Sequence, residues 1–473
     1  MAIEYYNKAI QLNKLDVDYA LYQKALCLGL LKKLDEKINT LKQIVQDYPK
    51  SEYKSLALLE IADTYNNDIK NNELATQYYQ QFLNEYPNSP SFAKAMVSLG
   101  LIYYAKKDDD KAFQYFDKVV KLNPKGEEAQ EVLPIIKKIF ESKGQISEME
   151  RYFESIGNPL SVNQVENSLY ESAKDYFYNQ KNCNKAKSLF EEYLQKFPDG
   201  KHNIEAHYCI GECLYNTNDS TQIQKAIEHY QVVINYPNRF IFTEDALGKT
   251  AYYLYKTKHY SEALPLLLKY AEITEEPKNS FQAKWMALKS AYQIKDYSKS
   301  YELSNFIISN ESKANESQLK EAKYIRAVSL YELQQYNEAL REFMPLPKLL
   351  KNSNGATAYL YIAKIYLAQG NYKKCEDAIN ELLSYQYTND EINAEGMLIL
   401  ADAYVQQKDY ANAKVLVETI LNAKLNNPEI IQRAQEKLNE INRALNENEN
   451  KQSNPDLFDR MFEEYQQSKN TGN

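Results

Sequence analysis

A small residue recurs about every 38 residues along most of this chain of 473 residues. We call these sites the small-residue positions: Ala25, Ala62, Gly100, Lys137, Ala173, Gly211, Ala251, Leu288, Ala327, Ala363 and Ala401. All but Lys137 and Leu288 are Ala or Gly, and such residues let two helix backbones approach closely. A period of this length indicates that one supersecondary unit is stacked many times.

A second apolar pattern follows each small-residue position after about twelve residues, with steps of four and three. It occurs at Ala75, Tyr79 and Phe82, at Ala112, Phe116 and Val119, and at Ala186, Phe190 and Tyr193, followed by Pro87, Pro124 and Pro198. These steps keep the residues on one helical face, so each unit is predicted to be two amphipathic helices in a hairpin. The chain has only 12 glycines, too few for the tight turns of an all-β fold.

This pattern resembles the tetratricopeptide repeat over roughly residues 2–427. The residues that match its signature are Met96, in place of Trp, and Leu99, Gly100, Tyr103, Ala112, Phe116 and Pro124. The stretch NEYPNSPSFAKA from Asn84 resembles the longer repeats of Gram-negative cell-envelope members of the family. The resemblance implies an all-α, right-handed superhelical solenoid of antiparallel helical hairpins.

The chain divides into several predicted parts. They are a half repeat with only a second helix (1–13), repeats (14–125), a divergent repeat or hinge (126–160), repeats (161–427), a capping helix (428–445) and a disordered tail (446–473) with a short amphipathic motif (454–466). Pro134 marks the divergent repeat, because Pro removes a backbone donor and kinks a helix. The half repeat leaves an apolar face uncovered, so we expect the chain to be part of a longer protein or a truncated reading frame.

Charge and hydropathy narrow the range of partners. The 57 Lys and Arg residues and 65 Asp and Glu residues are mixed along the chain and give a net charge of −8, which argues against nucleic acid and anionic membranes. The sequence has no membrane-spanning stretch and no signal peptide, so no membrane insertion is expected. The five scattered cysteines are interpreted as free thiols. Free thiols and the absent signal favour the cytoplasm, whereas the YPNSP likeness favours a periplasmic or outer-membrane-associated protein, which we prefer.

Enzyme and cofactor motifs are absent from the sequence. The glycines are too widely spaced for a GxGxxG motif, a P-loop or a nucleophile elbow. The set that comes nearest to a metal site is His202, His207, Cys209 and Cys213. His207 and Cys209 diverge by about 200° around a helix, and no second pair lies at zinc-site spacing. We therefore expect no catalysis, no cofactor and no metal.

Aromatic residues form a stripe beside the core face of the first helices. Four residues after the small-residue position, five successive units have Phe177, Tyr215, Tyr255, Tyr292 and Tyr331. Three residues before it lie Tyr170, Tyr208, Trp285 and Tyr324, and Tyr252 belongs to the same candidate set. The resemblance implies that this flank faces a concave groove that binds extended peptides or partner helices. Alternatively, the rings fill the seams between neighbouring hairpins, and burial decides between the two.

The tail contains a second candidate contact. Asn454 can cap a helix that begins at Pro455. One face of this helix is apolar and consists of Leu457, Phe458, Met461, Phe462 and Tyr465. A short amphipathic helix on a tether is typical of a docking motif that folds on a partner, and the alternative is that it packs on its own final repeats.

These features predict a non-enzymatic scaffold that binds a protein or peptide in an aromatic-lined concave groove. Tyrosine suits this role because it offers a large surface, few rotatable bonds and a hydroxyl. The alternative is a regulatory or substrate-presenting arm of a larger enzyme or of an envelope or secretion complex, with the remaining part N-terminal to this chain. A glycan in the same groove is possible and less favoured.

Overall fold

The computed structural model describes residues 1–12, 14, 16–217, 219–238, 240–452 and 455–470. These residues form 26 α-helices and no strand, so the predicted all-α class is confirmed. Within the same residues, no helix has the length and apolar character needed to cross a membrane.

The chain forms two compact units, of which the first is residues 1–236. Its helices are α1 (Ala2–Leu12), α2 (Val17–Leu30), α3 (Leu34–Asp47), α4 (Tyr53–Asp63), α5 (Asn72–Glu85), α6 (Phe92–Ala105), α7 (Asp109–Leu122), α8 (Glu127–Ser142), α9 (Ile146–Ser155), α10 (Val162–Tyr178), α11 (Cys183–Lys196), α12 (Asn203–Tyr215) and α13 (Ser220–Asn235). A π-helical turn, Thr64–Ile69, extends α4.

The second unit is residues 237–473. Its helices are α14 (Thr243–Lys256), α15 (Tyr260–Ile273), α16 (Pro277–Gln293), α17 (Tyr297–Ser309), α18 (Glu316–Glu332), α19 (Tyr336–Phe343), α20 (Leu346–Leu350), α21 (Ser353–Ala368), α22 (Tyr372–Leu383), α23 (Asp390–Gln406), α24 (Tyr410–Asn422), α25 (Pro428–Gln452) and α26 (Pro455–Asn470). A short 3₁₀ turn, Glu311–Lys313, precedes α18.

The small-residue positions lie in the first helix of each hairpin and are buried, except for Lys137, which is half-buried. Two of them show why a small residue is needed. A Cβ atom on Gly100 would lie 2.5 Å from the ring of Phe116, and one on Gly211 would lie 2.6 Å from the ring of Tyr230. In both hairpins the second helix therefore places an aromatic ring directly against the backbone of the first.

The turns between the two helices of a hairpin share a left-handed residue. Its φ is positive at Lys32, Lys70, Lys107, Gly144, Lys181, Lys258, Lys295, Gln334, Gly370 and Lys408. An Asn or Asp side chain caps the second helix in seven units, at Asn71, Asp108, Asn182, Asp219, Asp296, Asn371 and Asp409. Lysine thus occupies most of the turn sites at which glycine is the usual choice, which accounts for part of the glycine scarcity.

The repeat at 126–160 departs from the common pattern in both of its helices. Pro134 lies inside α8 without ending it, and α9 has only 10 residues. Lys137 forms an ion pair with Glu141 at 3.6 Å instead of filling a close contact between backbones. A hinge at 126–160 stays a prediction, because the boundary between the two compact units lies between Tyr236 and Pro237.

The end of the chain differs from its prediction. The helix expected at 428–445 continues as α25 to Gln452, and the tail expected to be disordered contains α26. The connecting residues NENENKQ include no Gly or Pro, so nothing in them stops a helix before the proline at 455. The predicted cap at Asn454 lies outside the described residues.

Candidate protein-binding surface

Three of the predicted contact residues belong to the core. Tyr170, Trp285 and Tyr324 are only 3%, 7% and 8% exposed. These rings have almost no surface to offer a partner, so the prediction that they bind one is wrong for this structure.

Tyr170 shows the physical reason. Its hydroxyl donates a hydrogen bond to the Glu205 carboxylate at 2.6 Å, and its ring stacks on His202 with a centroid distance of 3.6 Å. Burial and the Glu205 carboxylate raise the pKa of Tyr170, so the hydroxyl remains a donor. The ring fills a seam between α10 and the next hairpin.

The other predicted rings keep part of their surface. In the first unit, the half-buried residues are Phe177, Tyr208 and Tyr215. In the second unit, they are Tyr255, Tyr292 and Tyr331, and Tyr252 beside them is 45% exposed. Each of the half-buried rings is partly covered by the chain and keeps some exposed surface. Their role in binding a partner stays a prediction.

An ion pair lies among the aromatic residues of the second unit. Lys289 of α16 and Glu321 of α18 are 3.0 Å apart. A cavity of about 150 Å³ opens beside them and is lined by Lys289, Tyr292, Gln293, Glu321, Tyr324, Ile325 and Asn354. A second cavity of about 360 Å³ shares Glu321 and Asn354 with the first. We call Tyr252, Tyr255, Tyr292, Tyr331 and the two cavities the aromatic surface.

Three tyrosines of the aromatic surface, Tyr255, Tyr292 and Tyr331, are neutral at physiological pH. Burial is the main cause that raises the pKa values of Tyr255, Tyr292 and Tyr331, although Lys289 partly opposes it at Tyr255. Tyr292 and Tyr324 line the same cavity, so a core tyrosine lies beside a half-buried tyrosine of the surface. The surface therefore offers apolar rings, hydroxyls, side-chain amides and two ion pairs, Lys289–Glu321 and Lys320–Glu316.

A further row of tyrosines was not predicted from the sequence. Five successive second helices in the second unit begin with a half-buried tyrosine: Tyr260, Tyr297, Tyr336, Tyr372 and Tyr410. Tyr260 lies 5.9 Å from Tyr255, and Tyr336 lies 5.4 Å from Tyr331, between ring centroids. Alignment of the repeats on the small-residue position shows this row, because its members follow the turn at nearly constant spacing.

The four residues that come nearest to a metal site have separate surroundings. His202 stacks on Tyr170, and His207 hydrogen-bonds His229 with 2.9 Å between the Nδ1 atoms. Cys209 contacts the hydroxyl of Tyr178, and Cys213 is buried in α12. No group of three or more potential ligands assembles within the described part of the chain.

In the tail, the described side chains of the apolar face are exposed. Met461, Phe462 and Tyr465 are 64%, 59% and 60% exposed on α26. The side chains of Leu457 and Phe458 lie outside those that the structure describes. The predicted docking role of this helix stays a prediction.

Models of the tetratricopeptide repeat family match five segments of the chain. The matched residues are 19–51, 56–89, 93–125, 167–200 and 360–414. They include repeats in both compact units. Each of the first four matches covers the two helices of one hairpin, and the match at 360–414 covers α22 and α23 with parts of α21 and α24. No curated protein sequence matches the chain.

Several solved structures are similar to the chain. A structure of Naa15/Naa10 bound to HypK-THB has 14% identity, covers 89% of this chain and 65% of its own, and has a TM-score of 0.35. The match to yeast Tom70 has 12% identity, covers 95% of this chain and 99% of the Tom70 chain, and has a TM-score of 0.31. The match to a tetratricopeptide repeat protein from Parabacteroides merdae has 14% identity, covers 58% of this chain and 99% of that protein's chain, and has a TM-score of 0.29. The chain thus spans 65% of the first of these proteins, and TM-scores this low carry no information on function.

Proposed function

The chain belongs to the tetratricopeptide repeat family, and from that premise we propose that it is a non-enzymatic scaffold that binds a protein through an extended peptide. The peptide lies along the aromatic surface of the second unit. Tyr255, Tyr292 and Tyr331 contact its side chains, and Tyr252 covers one edge.

The observation that carries this proposal is the grouping of half-open rings around an ion pair and two adjoining cavities. A tyrosine that is already packed on one side loses little side-chain entropy when a ligand covers the other side. Gln293 and Asn354 line the smaller cavity, and their amides can both donate to and accept from a peptide backbone. Lys289 and Glu321 place a charge of each sign at the same point, which supports selectivity more than affinity.

Binding of peptides from a random library displayed on phage tests the proposal. The full chain selects the peptides, and calorimetry then measures the affinity of the selected peptides in solution. The variant Tyr255→Ala/Tyr292→Ala should bind them roughly 30- to 800-fold more weakly, because each of the two rings at an interface centre contributes about 1–2 kcal/mol.

A matched control is available in the first unit. Tyr5 and Tyr19 are 64% and 42% exposed, so Tyr5→Ala/Tyr19→Ala removes two rings of the same type outside the aromatic surface. This control should keep the affinity of the wild type, and both variants should keep its circular dichroism. Equal affinity of the wild type and Tyr255→Ala/Tyr292→Ala would show that the aromatic surface is not the binding site.

We further propose that α26 is a second contact for a partner. The exposure of Met461 and Phe462 supports this role, since two large apolar side chains on one short helix are costly to leave in water. The variant Met461→Asp/Phe462→Asp should weaken binding of a protein partner without changing the affinity of the short peptides. Loss of peptide affinity in this variant would instead indicate that α26 supports the aromatic surface.

A further inference from the structure

A cavity of about 470 Å³ opens in the first unit between α5, α6 and α7, and we call it the α5–α7 cavity. Ligand sites commonly have volumes of about 300–1,000 Å³, so it has room for several side chains. Its apolar lining includes the half-buried residues Leu83, Phe92 and Tyr115. Leu122 also lines it and is 60% exposed. The cavity therefore presents apolar surface to water.

The polar lining residues give the α5–α7 cavity a positive charge. Lys118 and Lys121 line it from α7, whereas Gln80 and Asn84 line it from α5. Among the described residues, no Asp or Glu lines this cavity. Lys121 forms an ion pair with Asp117 at 2.7 Å, and Lys118 forms no ion pair within the described part of the chain. A ligand that fits is apolar and has carboxylates beside its apolar side chains.

The helix α26 has the complementary pattern. At about 100° per residue, Met461, Tyr465 and Phe462 span a stripe about 100° wide. Asp459 lies about 60° beyond Phe462, and Glu464 lies about 60° beyond Met461 on the other side. All five side chains are exposed. An apolar stripe with an acid on each side therefore matches an apolar cavity that has lysines on one wall and amides on the other.

We propose that α26 of a second copy of this chain docks in the α5–α7 cavity. Met461 and Phe462 enter the cavity, one flanking carboxylate pairs with Lys118, and the amide of Asn84 donates a hydrogen bond to the other. This inference rests on the proposed role of α26 as a contact for a partner, and it names that partner.

Charge favours this cavity over the aromatic surface. Both cavities of the aromatic surface include Glu321, and the larger one also includes Glu316. The lysines beside these carboxylates are already paired with them, at 3.0 Å and 2.6 Å. Residues 459–467 of α26 have three carboxylates and one Arg. Like charges at a contact are unfavourable, so α26 should avoid the aromatic surface and select a cavity that is lined by lysines and amides.

The contact joins two different surfaces of the two copies, so it is heterologous. Two copies that exchange their α26 helices form a closed dimer with two contacts, and without closure further copies add to a chain. One short helix buries less area than a standard interface, so a single contact should have a dissociation constant of about 10–100 μM.

Fluorescence anisotropy of a labelled peptide tests the contact itself. The peptide comprises residues 455–470. The receptor is the full chain with Met461→Asp/Phe462→Asp, because its own α26 then does not compete. Adding Lys118→Glu to this receptor should weaken binding about 10-fold. Lys138→Glu, which changes an exposed lysine of α8, should leave the affinity unchanged.

A charge reversal separates pairing from a change in the fold. The peptide with Asp459→Lys/Glu464→Lys should bind the Lys118→Glu receptor about 3-fold or more tightly than it binds the receptor that keeps Lys118. A merely structural effect of Lys118→Glu would weaken the binding of both peptides. Equal affinity of the original peptide for the receptors with and without Lys118→Glu would overturn the proposed site.

Sedimentation velocity of the full chain tests whether the partner is a second copy. The wild type should associate at about 200 μM, and Lys118→Glu and Met461→Asp/Phe462→Asp should each remain monomeric. Tyr255→Ala/Tyr292→Ala should associate as the wild type does, so the result is independent of the aromatic surface. A monomeric wild type would overturn the inference, whether α26 docks within its own chain or on another protein. In the latter case Met461→Asp/Phe462→Asp would still weaken binding of that protein, and the proposed role of α26 would stand.

Discussion

The histidine pair between α12 and α13 should make the first unit lose stability in mild acid. His207 and His229 face each other with 2.9 Å between their Nδ1 atoms, so one neutral ring donates to the other. Burial lowers the pKa of both, and the charges of His207 and Lys187 help to lower that of His229 to about 4. The folded chain therefore prefers both rings neutral.

The direction of the pH dependence of stability follows from the number of protons that the folded and unfolded chains bind. Between the unfolded pKa of about 6.5 and the folded value of about 4, the unfolded chain binds a proton at His229 that the folded chain does not. The free energy of unfolding is thus unaffected above about pH 6.5 and falls as the pH drops towards 4. The full shift corresponds to about 3 kcal/mol, and partial solvent access reduces the expected loss to about 2 kcal/mol.

Labelling of Cys209 provides a local assay, since this thiol is fully buried in α12 and reacts only when the helix opens. A methanethiosulfonate reagent reacts with the chain at several pH values, and peptide mass spectrometry measures the rate at Cys209. Between pH 6.5 and about 4.5, the rate in the wild type should rise about 30-fold relative to that in His229→Gln at the same pH. Comparison at equal pH removes the reagent's own pH dependence.

His259→Gln is the matched control. His259 is exposed at the start of α15, so its replacement should leave the pH dependence of the wild type intact. If the wild type and His229→Gln open equally at every pH, the buried histidine pair does not limit stability in acid, and the reasoning from burial to proton binding is refuted.

Three further changes test the packing. Gly211→Ala gains about 1 kcal/mol of helix propensity but forces a Cβ to within 2.6 Å of the Tyr230 ring, so urea unfolding should show a net loss of about 1 kcal/mol. Lys295 is a non-glycine residue in the left-handed region, with φ 61°, so Lys295→Gly should relieve backbone strain. The thermal midpoint of unfolding should rise by an amount equivalent to about 0.5 kcal/mol, and a lower midpoint would show that Lys295 is not strained. Lys37→Met leaves Glu60 without the 2.6 Å ion pair that the buried lysine makes, and urea unfolding should show a loss of about 1–3 kcal/mol.

The hairpins could be predicted from the sequence because burial in a helix leaves a period of three and four. Ala112, Phe116 and Val119 have that period, and all three are buried. The left-handed turns could not be predicted in the same way. Lysine has no preference for a positive φ, so only the structure shows the left-handed conformation of a residue such as Lys107.

The aromatic residues show a second limit on prediction from the sequence. Tyr170 and Tyr208 occupy the same place in their repeats, three residues before a small-residue position. Tyr170 is buried beneath His202 and bound to Glu205, whereas Tyr208 stays half-buried. Helical phase sets the direction in which a ring points, but the residues of the next hairpin determine how much of it is covered.

This dependence on neighbours means that the candidate site cannot be separated from the packing beneath it. Tyr292 is half-buried, and it lines the smaller cavity together with Tyr324, which is in the core. Tyr324 is in turn on α18, the same helix that supplies Glu321 to the ion pair and to both cavities. One helix therefore provides core packing and surface charge together. The aromatic surface is thus a property of successive repeats in contact, and a single repeat removed from its neighbours would not retain it.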